Sequence, residues 1–251
     1  TTEEPDKKPE QQPEQQPDGK TDENPNQQPN HSQTSTVAKP TETGVSDMLE
    51  AAEHAPYMAG FGNRTFGPNG NVTRAQVAQM FYNLLKDKNV DITVNFSDVD
   101  KNAWYAAAVN TLGSMGIVAG TGNKQFSPDR AITRAEFTAI ATRFATKAAE
   151  VSSGISFEDV KTSDWFYESV SNAAKYGWVS GMGDGTFRPN DAITRAQAAT
   201  IVNGMLNRFA DKSYVAENIK NPYDDVSTAH WAFYQIMEAS VAHDHDYDEN
   251  G

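Results

Sequence analysis

The chain has 251 residues, a net charge of −13 and no cysteine, and these values exclude several classes of protein. Nucleic-acid binders need an excess of basic residues to neutralise phosphates, so we predict no nucleic-acid partner. Without cysteine there is no disulfide scaffold, no thiolate metal site and no cysteine nucleophile. A membrane helix needs a run of about 18 apolar residues, and none occurs, so we predict no membrane insertion.

Residues 1–44 have the composition of a linker. They hold seven of the twelve prolines and seven glutamines, and their only aliphatic residues are Val37 and Ala38. A segment this polar cannot bury a core, so we predict a disordered, Pro/Gln-rich tail that serves as an extended spacer. A PxxP ligand for an SH3-like module is the alternative, but the flanking basic anchors are absent.

The first residues also lack the basic and apolar regions of a signal peptide. We therefore expect the chain to begin at a processed end, or to be a fragment covalently linked to upstream cargo.

The rest of the chain contains two motifs that repeat in phase. The first is a 19-residue block, which reads MAGFGNRTFGPNGNVTRAQ (58–76), VAGTGNKQFSPDRAITRAE (118–136) and VSGMGDGTFRPNDAITRAQ (179–197). The second is a shorter Asp–Trp motif, which reads FSDVDKNAW (96–104), FEDVKTSDW (157–165) and YDDVSTAHW (223–231). Recurrence of both motifs at nearly constant spacing indicates an array of structural repeats.

Each motif predicts one helix. Apolar residues after each Trp follow helical spacing, as at Ala108, Val109 and Leu112 after Trp104. Each 19-residue block ends in a capping box, in which a Thr stands three residues before Gln or Glu and an amphipathic stretch follows. The glycines between the two helices end the first and shape a turn. The predicted fold class is all-α, with helix–loop–helix repeats.

These motifs together resemble the S-layer homology (SLH) family, which has FxDV, a Trp six residues beyond the Asp, GxGxxxFxP, and ITRAE at the head of the second helix. The resemblance covers about Val45 to the C-terminus. It implies a pseudo-threefold spindle of three repeats, with the TRAE helices at the centre and sugar sites in the grooves between repeats. It also implies a bacterial, extracellular module that binds a secondary cell-wall polysaccharide, commonly one that carries a pyruvate ketal.

The sequence departs from the family pattern in two ways. TRAE is TRAQ in the first and third blocks, so a sugar-binding role of that carboxylate is in doubt there. The register is also shifted, because the first block has no Asp–Trp motif before it and the last Asp–Trp motif has no block after it. We predict repeats at about 46–85, 96–147 and 157–210, with a closing half-repeat at about 223–242.

The shifted register leads to three structural expectations. A first helix is expected at about Ser46 to Ala55. The half-repeat at 223–242 is expected to return to the first copy and close the ring between the chain ends. Closure of this kind would place Trp231 near Arg74.

The residues that we predict to bind the ligand recur in all three copies. Arginine at the first helical position is mildly unfavourable beside the helix dipole, so its recurrence indicates an anionic partner such as a pyruvyl carboxylate; pairing with a nearby Asp is the alternative. The tryptophans either stack on a sugar or pack in the core, the glycines let a ligand approach the backbone, and the aspartates are chiefly turn acceptors. The predicted set is Arg74, Arg134, Arg195, Trp104, Trp165, Trp231, Gly60, Gly62, Gly120, Gly122, Gly181, Gly183, Asp98, Asp159 and Asp225.

Enzymatic and metal sites find little support in the sequence. Asp98, Asp100 and Asn102 imitate the start of an EF-hand loop, but Ala103 and Val109 stand where Gly and Glu are needed. The terminal HDHDYDEN offers His243 and His245 to a transition metal, although a polar chain end explains it better. We predict no enzyme, no metal and no cofactor. The predicted function is a non-catalytic cell-wall anchor, and the alternative is a structural or protein-interaction scaffold whose glycan sites have decayed.

Overall fold

A computed structural model describes residues 37–148 and 156–243 of the chain. Within those two ranges the elements are α1 (Pro40–Thr43), a 3-10 turn (Val45–Asp47), α2 (Arg74–Leu84), α3 (Ala106–Ser114), α4 (Arg134–Thr142), α5 (Tyr167–Lys175), α6 (Arg195–Leu206), α7 (Lys212–Asn218) and α8 (Phe233–Ser240). The predicted all-α class is confirmed. None of these helices has the length and apolarity needed to span a membrane. The disorder predicted for residues 1–36 lies outside the described residues.

The helices α2, α4 and α6, here called the TRA helices, begin at the predicted capping boxes. Thr73 accepts a hydrogen bond from the Gln76 amide at 3.3 Å, and the Gln76 side chain accepts one from the Thr73 amide at 3.1 Å. The same reciprocal pair forms at the starts of α4 and α6. Glutamine therefore caps α2 and α6 in the same way as glutamate caps α4, because the side-chain oxygen of either residue type can accept the amide hydrogen.

The residues that precede the three capping threonines surround a pseudo-threefold axis. The Val72 amide donates to the Ile193 carbonyl at 3.0 Å, the Ile132 amide to Val72 at 3.0 Å, and the Ile193 amide to Ile132 at 3.1 Å. All three side chains are fully buried. The three copies are thus joined at their centre by a closed cycle of backbone hydrogen bonds.

Each TRA helix packs against the helix that follows the next Asp–Trp motif along the chain. The pairs are α2 with α3, α4 with α5, and α6 with α8. Between the first two pairs lies an aromatic core, in which the ring centre of Phe81 in α2 is 5.9 Å from Phe137 in α4 and 4.9 Å from Phe144 just beyond α4. The amphipathic stripes predicted from the sequence are the faces that form this core.

The half-repeat at 223–242 packs against the first copy. The Tyr57 and Met58 amides donate to the Ala239 carbonyl at 3.1 and 3.0 Å, as their counterparts in the second copy donate to Leu112 within α3. Helix α8 therefore supplies the first helix of the first copy. The helix predicted at 46–55 is wrong, because α8 occupies its place and only the 3-10 turn forms there.

The folded part of the chain begins before residue 45. Ala38 is fully buried and its amide donates to the Tyr176 carbonyl at 2.8 Å. The Thr43 carbonyl accepts the amides of Thr146 and Lys147, both at 2.9 Å. The linker boundary predicted at residue 44 is therefore wrong. It was based on composition, which does not show that one small apolar side chain is buried or that a few backbone hydrogen bonds form.

Candidate functional site

Arg74, the first residue of α2, shows how one copy contacts the next. Its side chain crosses to the glycine loop of the second copy, where Nε donates to the Phe126 carbonyl at 2.7 Å and Nη2 to the Ala119 carbonyl at 2.6 Å. The guanidinium also lies 4.5 Å from the centre of the Phe126 ring, a cation–π distance. Only 7% of the residue is exposed, so Arg74 fastens one copy to the next.

Arg195 makes the same contacts with the glycine loop of the first copy, at the Phe66 and Ala59 carbonyls. Arg134 donates through Nε to the Phe187 carbonyl at 2.8 Å and is 1% exposed. Neither of its terminal nitrogens has a hydrogen-bond partner among the described residues. Burial lowers the pKa of Arg134 to about 10, which still leaves it charged at neutral pH.

The first-turn amides of the TRA helices are engaged by the neighbouring copy. In α2 the Arg74 amide donates to the Arg130 carbonyl at 3.0 Å and the Ala75 amide to the Pro128 carbonyl at 2.9 Å. Equivalent bonds start α4 and α6. Since the Thr73 side chain accepts the Gln76 amide, the first turn of α2 has no free amide to offer to a carboxylate.

The aspartates of the Asp–Trp motifs hold the glycine loops in shape. Both Asp98 carboxylate oxygens accept loop amides, those of Phe126 and Ser127, at 2.7 Å each. Asp159 binds Phe187 and Arg188 in the same way, and Asp225 binds Phe66 and Gly67. These carboxylates therefore pair with backbone amides, and the arginines use carbonyls instead of forming the ion pairs considered as an alternative.

The two glycines of each GxG differ in their surroundings. A Cβ on Gly120 would lie 2.6 Å from the Gln125 carbonyl oxygen and 2.9 Å from the Phe96 ring. Gly60 and Gly181 are equally tight, against Tyr223 and Phe157. The second glycines, Gly62, Gly122 and Gly183, have no neighbouring atom within 4 Å of such a Cβ. The first glycine is thus needed for packing, and the second faces open space.

The tryptophans lie at the surface in two of the three copies. Trp104 is 63% exposed and Trp165 is 67% exposed, and each meets the next aromatic residue edge to face. Trp231 is half-buried and stacks on His230 at 5.7 Å. An exposed indole face at Trp104 and Trp165 has the amphipathic surface that stacks on a sugar ring.

Arg74 and Trp165 line a common groove of about 450 Å³, here called the Arg74 groove. Its other walls are the loop backbone at 119–121, the residues Arg130, Glu136 and Arg143, and the small apolar surface of Ala139 and Ile140. The tryptophan in this groove is therefore Trp165, which belongs to the third copy, and not Trp231 as expected.

The Arg74 groove is cationic although the chain is acidic. Three arginines face a single glutamate, which gives a formal charge of 3 − 1 = +2 against −13 for the whole chain. Arg130 pairs with Glu136 at 2.6 Å, and Arg143 donates to the Ile117 carbonyl at 2.7 Å. Burial lowers the pKa of Arg74, and the nearby charge of Arg130 lowers it further.

Arg130 and Arg143 were not predicted from the sequence as site residues. A signal for them exists in the alignment of the copies, where Arg130 corresponds to Gly70 and Asp191, and Arg143 to Asn83 and Gly204. Both positions differ between the copies, and a search for repeated residues finds only positions that agree. The copies therefore differ in side-chain charge at these two positions.

Three segments of the chain match the model of the S-layer homology domain, at residues 44–78, 95–138 and 156–199. The chain carries three S-layer homology domains. Each segment contains one glycine loop and ends within the TRA helix that follows it, and the three matches confirm the resemblance indicated by the motifs.

Several curated proteins are similar to this chain. A cellulosome-anchoring protein of Acetivibrio thermocellus is 31% identical over 230 residues, which is 86% of this chain and 50% of that protein. An amylopullulanase of Thermoanaerobacterium thermosulfurigenes is 38% identical over 167 residues, 64% of this chain and 9% of the enzyme. A surface-layer 125 kDa protein of Lysinibacillus sphaericus is 34% identical over 128 residues, 47% of this chain and 11% of that protein. The chain thus spans half or less of the length of these relatives.

Proposed function

We propose that this chain is a non-catalytic anchor that attaches a larger exported protein to the bacterial cell wall by binding an anionic secondary wall polysaccharide. The relatives include proteins named for anchoring and for the surface layer, which supports an extracellular location at the wall. Enzymes also occur among the relatives, and this chain covers only a small share of each. We therefore assign catalysis to domains outside the matched region, which would be the cargo of the anchor.

The Arg74 groove carries this proposal. Its open side combines an exposed indole at Trp165 with a net positive charge from Arg74, Arg130 and Arg143. A sugar ring stacks on the indole, and a carboxylate such as a pyruvate ketal meets the guanidinium groups. Because the opposing charges elsewhere on the chain are screened beyond about 8 Å at physiological ionic strength, the local positive field governs binding.

Within this proposal the predicted site residues take different roles. Arg74, Arg134 and Arg195 join adjacent copies, Arg74 adds positive charge to the Arg74 groove, and Arg130 and Arg143 meet the acid directly. Trp104 and Trp165 provide stacking surfaces. The second glycines, Gly62 and Gly122, leave the loop backbone open to the sugar, whereas Asp98, Asp159 and Asp225 keep each loop in shape.

A structural scaffold remains the competing function, and one observation favours it. All three TRA arginines are buried and bonded to carbonyls of another copy, which is a structural use of arginine. Trp104 and Trp165, by contrast, are the most exposed large apolar side chains in the described part of the chain, and an exposed indole face is a surface on which a sugar ring stacks. This difference makes wall binding the better supported function.

The proposal is tested by equilibrium binding to purified cell walls. Arg143→Gln removes one groove charge and is expected to weaken binding about tenfold, the effect of losing one charge-assisted hydrogen bond. Lys147→Gln is the matched control, since Lys147 does not line the groove and instead lies 3.4 Å from Asp47. Walls from which pyruvate has been removed chemically test whether the bound acidic group is pyruvate. These walls should bind the unmodified chain as weakly as untreated walls bind Arg143→Gln.

Equal binding by the two variants would favour the scaffold. Equal binding to stripped and untreated walls would leave a wall anchor whose acidic group is not pyruvate.

A further inference from the structure

Three potential metal ligands from separate segments converge at the C-terminal end of α8. His54 follows the 3-10 turn, Glu238 lies on α8, and His243 lies just beyond that helix. His54 Nδ1 is 2.8 Å from Glu238 Oε1 and 3.2 Å from His243 Nε2, which is itself 3.0 Å from Glu238 Oε2. None of the three residues lines the Arg74 groove, so this cluster is independent of the proposed glycan site.

The cluster is buried and rich in electron lone pairs. Glu238 is completely buried, and the His54 and His243 side chains are 11% and 5% exposed. His243 Nδ1 lies 2.9 Å from the Val241 carbonyl oxygen, which requires a proton on Nδ1. Neutral His243 therefore directs the lone pair of Nε2 at the Glu238 carboxylate. Such an arrangement needs a shared positive charge, supplied either by further protons on the rings or by a metal ion.

The hydrogen bonds of Glu238 are compatible with a metal ion as the source of this positive charge. Glu238 Oε1 has no partner of hydrogen-bond geometry in the described part of the chain, although His54 Nδ1 is only 2.8 Å away. The nearby Arg208 directs its guanidinium at the carbonyls of residues 50, 51 and 55. Arg208 therefore donates these hydrogen bonds to backbone carbonyls and not to the Glu238 carboxylate.

The spacing of the ligand atoms fits a small transition ion. With metal–ligand bonds of about 2.0–2.2 Å, two ligands of a tetrahedral zinc ion lie about 3.3 Å apart. The two histidine nitrogens lie 3.2 Å apart, and they lie 2.8 and 3.0 Å from different oxygens of the Glu238 carboxylate, so all three separations are within about 0.5 Å of that value. The bond from His243 Nδ1 to the Val241 carbonyl also fixes the tautomer and the ring orientation, as the outer partner of a metal-bound histidine does.

We propose that His54, Glu238 and His243 form a binding site for one divalent transition ion of the zinc class. Two histidines and a glutamate are a ligand set that zinc uses, whereas calcium and magnesium prefer oxygen ligands alone. The ion joins the segment after the 3-10 turn to α8, where the Tyr57 and Met58 amides already bind the Ala239 carbonyl. Because the ligands are buried, its role is to lock the closure of the ring.

Zinc titration of the full chain after treatment with a chelator tests the site. Isothermal calorimetry should give one ion per chain, and Tm should rise by about 5–10 °C when Zn²⁺ is near a hundred times its Kd. His54→Gln and His243→Gln should each lower the affinity at least about tenfold. His230→Gln and His245→Gln are the matched controls, and both should bind zinc as the unmodified chain does.

The opposite results overturn the proposal. These are no zinc binding, binding that survives both His54→Gln and His243→Gln, or binding that His245→Gln abolishes. The cluster would then be a hydrogen-bonded His–Glu–His group only. Anomalous diffraction at the zinc edge, from crystals of the full chain, decides the question if a variant fails to fold. A peak between the three side chains supports the site, and its absence contradicts it.

Discussion

Asp225 binds Phe66 across the closure of the ring, with its Oδ1 2.8 Å from an amide 159 positions earlier in the chain. Its second oxygen accepts the Gly67 amide at 2.7 Å. The other two Asp–Trp motifs make the same bonds to loops only 28 and 29 positions away. Residues near the C-terminal end therefore complete the first copy as local residues complete the others.

Asp225→Ala should destabilise the fold more than Asp224→Ala, although the two residues are adjacent. The first removes two amide bonds to a charged acceptor, and we expect a loss of about 2 kcal/mol. The second removes an exposed ion pair with Arg64, which contributes about 0–1 kcal/mol. Urea unfolding of both variants measures the difference. Equal losses would show that closure of the ring does not depend on the Asp225 bonds.

Removal of residues 1–36 and removal of residues 1–44 should have different effects. The second deletion takes away buried Ala38, its bond to Tyr176, and the Thr43 carbonyl that binds Thr146 and Lys147. We expect it to lower Tm by several degrees relative to the first, since about 1 kcal/mol corresponds to 2–4 °C in a domain of this size. Identical melting curves would mean that residues 37–44 contribute nothing to stability.

Gly120→Ala and Gly62→Ala form a matched pair in equivalent loops. The added methyl group on Gly120 meets the Gln125 carbonyl oxygen and the Phe96 ring, so we expect a loss of about 1–3 kcal/mol. The methyl group on Gly62 meets no atom within 4 Å, and its effect should stay within about 0.5 kcal/mol. Chemical denaturation checks both values, and a larger loss at Gly62 than at Gly120 would contradict the assigned loop geometry.

The fold should lose stability in acid partly through Asp98. Burial raises the pKa of Asp98, but the hydrogen bonds from the Phe126 and Ser127 amides outweigh burial and hold the pKa below its ordinary value of 3.8. The folded state therefore binds this proton more weakly than the unfolded chain does. Its contribution is present above about pH 4 and is lost as pH falls through the lowered pKa.

The substitution Asp98→Asn removes the titrating carboxyl group at this position. The unfolding free energy of this variant should therefore change less between about pH 4 and pH 2 than that of the unmodified chain. Parallel profiles for the two proteins would exclude Asp98 as a source of acid sensitivity.

The sequence predicted the features that depend on neighbouring residues. Capping by Thr73 and Gln76, for example, needs residues only three apart. Closure by 223–242 is a long-range feature, and the signal for it was the shifted register of the two repeated motifs. The helix expected at 46–55 failed because a distant helix, α8, takes its place. Composition also missed residues 37–44, whose order comes from contacts more than a hundred residues away.

The candidate site was predicted only in part, for a related reason. Arg74 was expected to face a ligand, yet its partners are the Phe126 and Ala119 carbonyls of another copy, which no local pattern reveals. The pairing of Arg74 with Trp165 likewise depends on how the copies turn about their axis. Arg130 and Arg143 differ between copies, so a search for repeated residues passes over them.

Wall binding by Trp165→Ala, compared with Ile92→Ala, tests the proposed anchor most directly. Both changes remove an exposed apolar side chain, 67% exposed at Trp165 and 47% at Ile92, but only Trp165 lines the Arg74 groove. Loss of one stacking contact should weaken sedimentation with purified walls about tenfold in Trp165→Ala and leave Ile92→Ala unchanged. Undiminished binding by a folded Trp165→Ala protein would contradict the assignment of the glycan site to this groove.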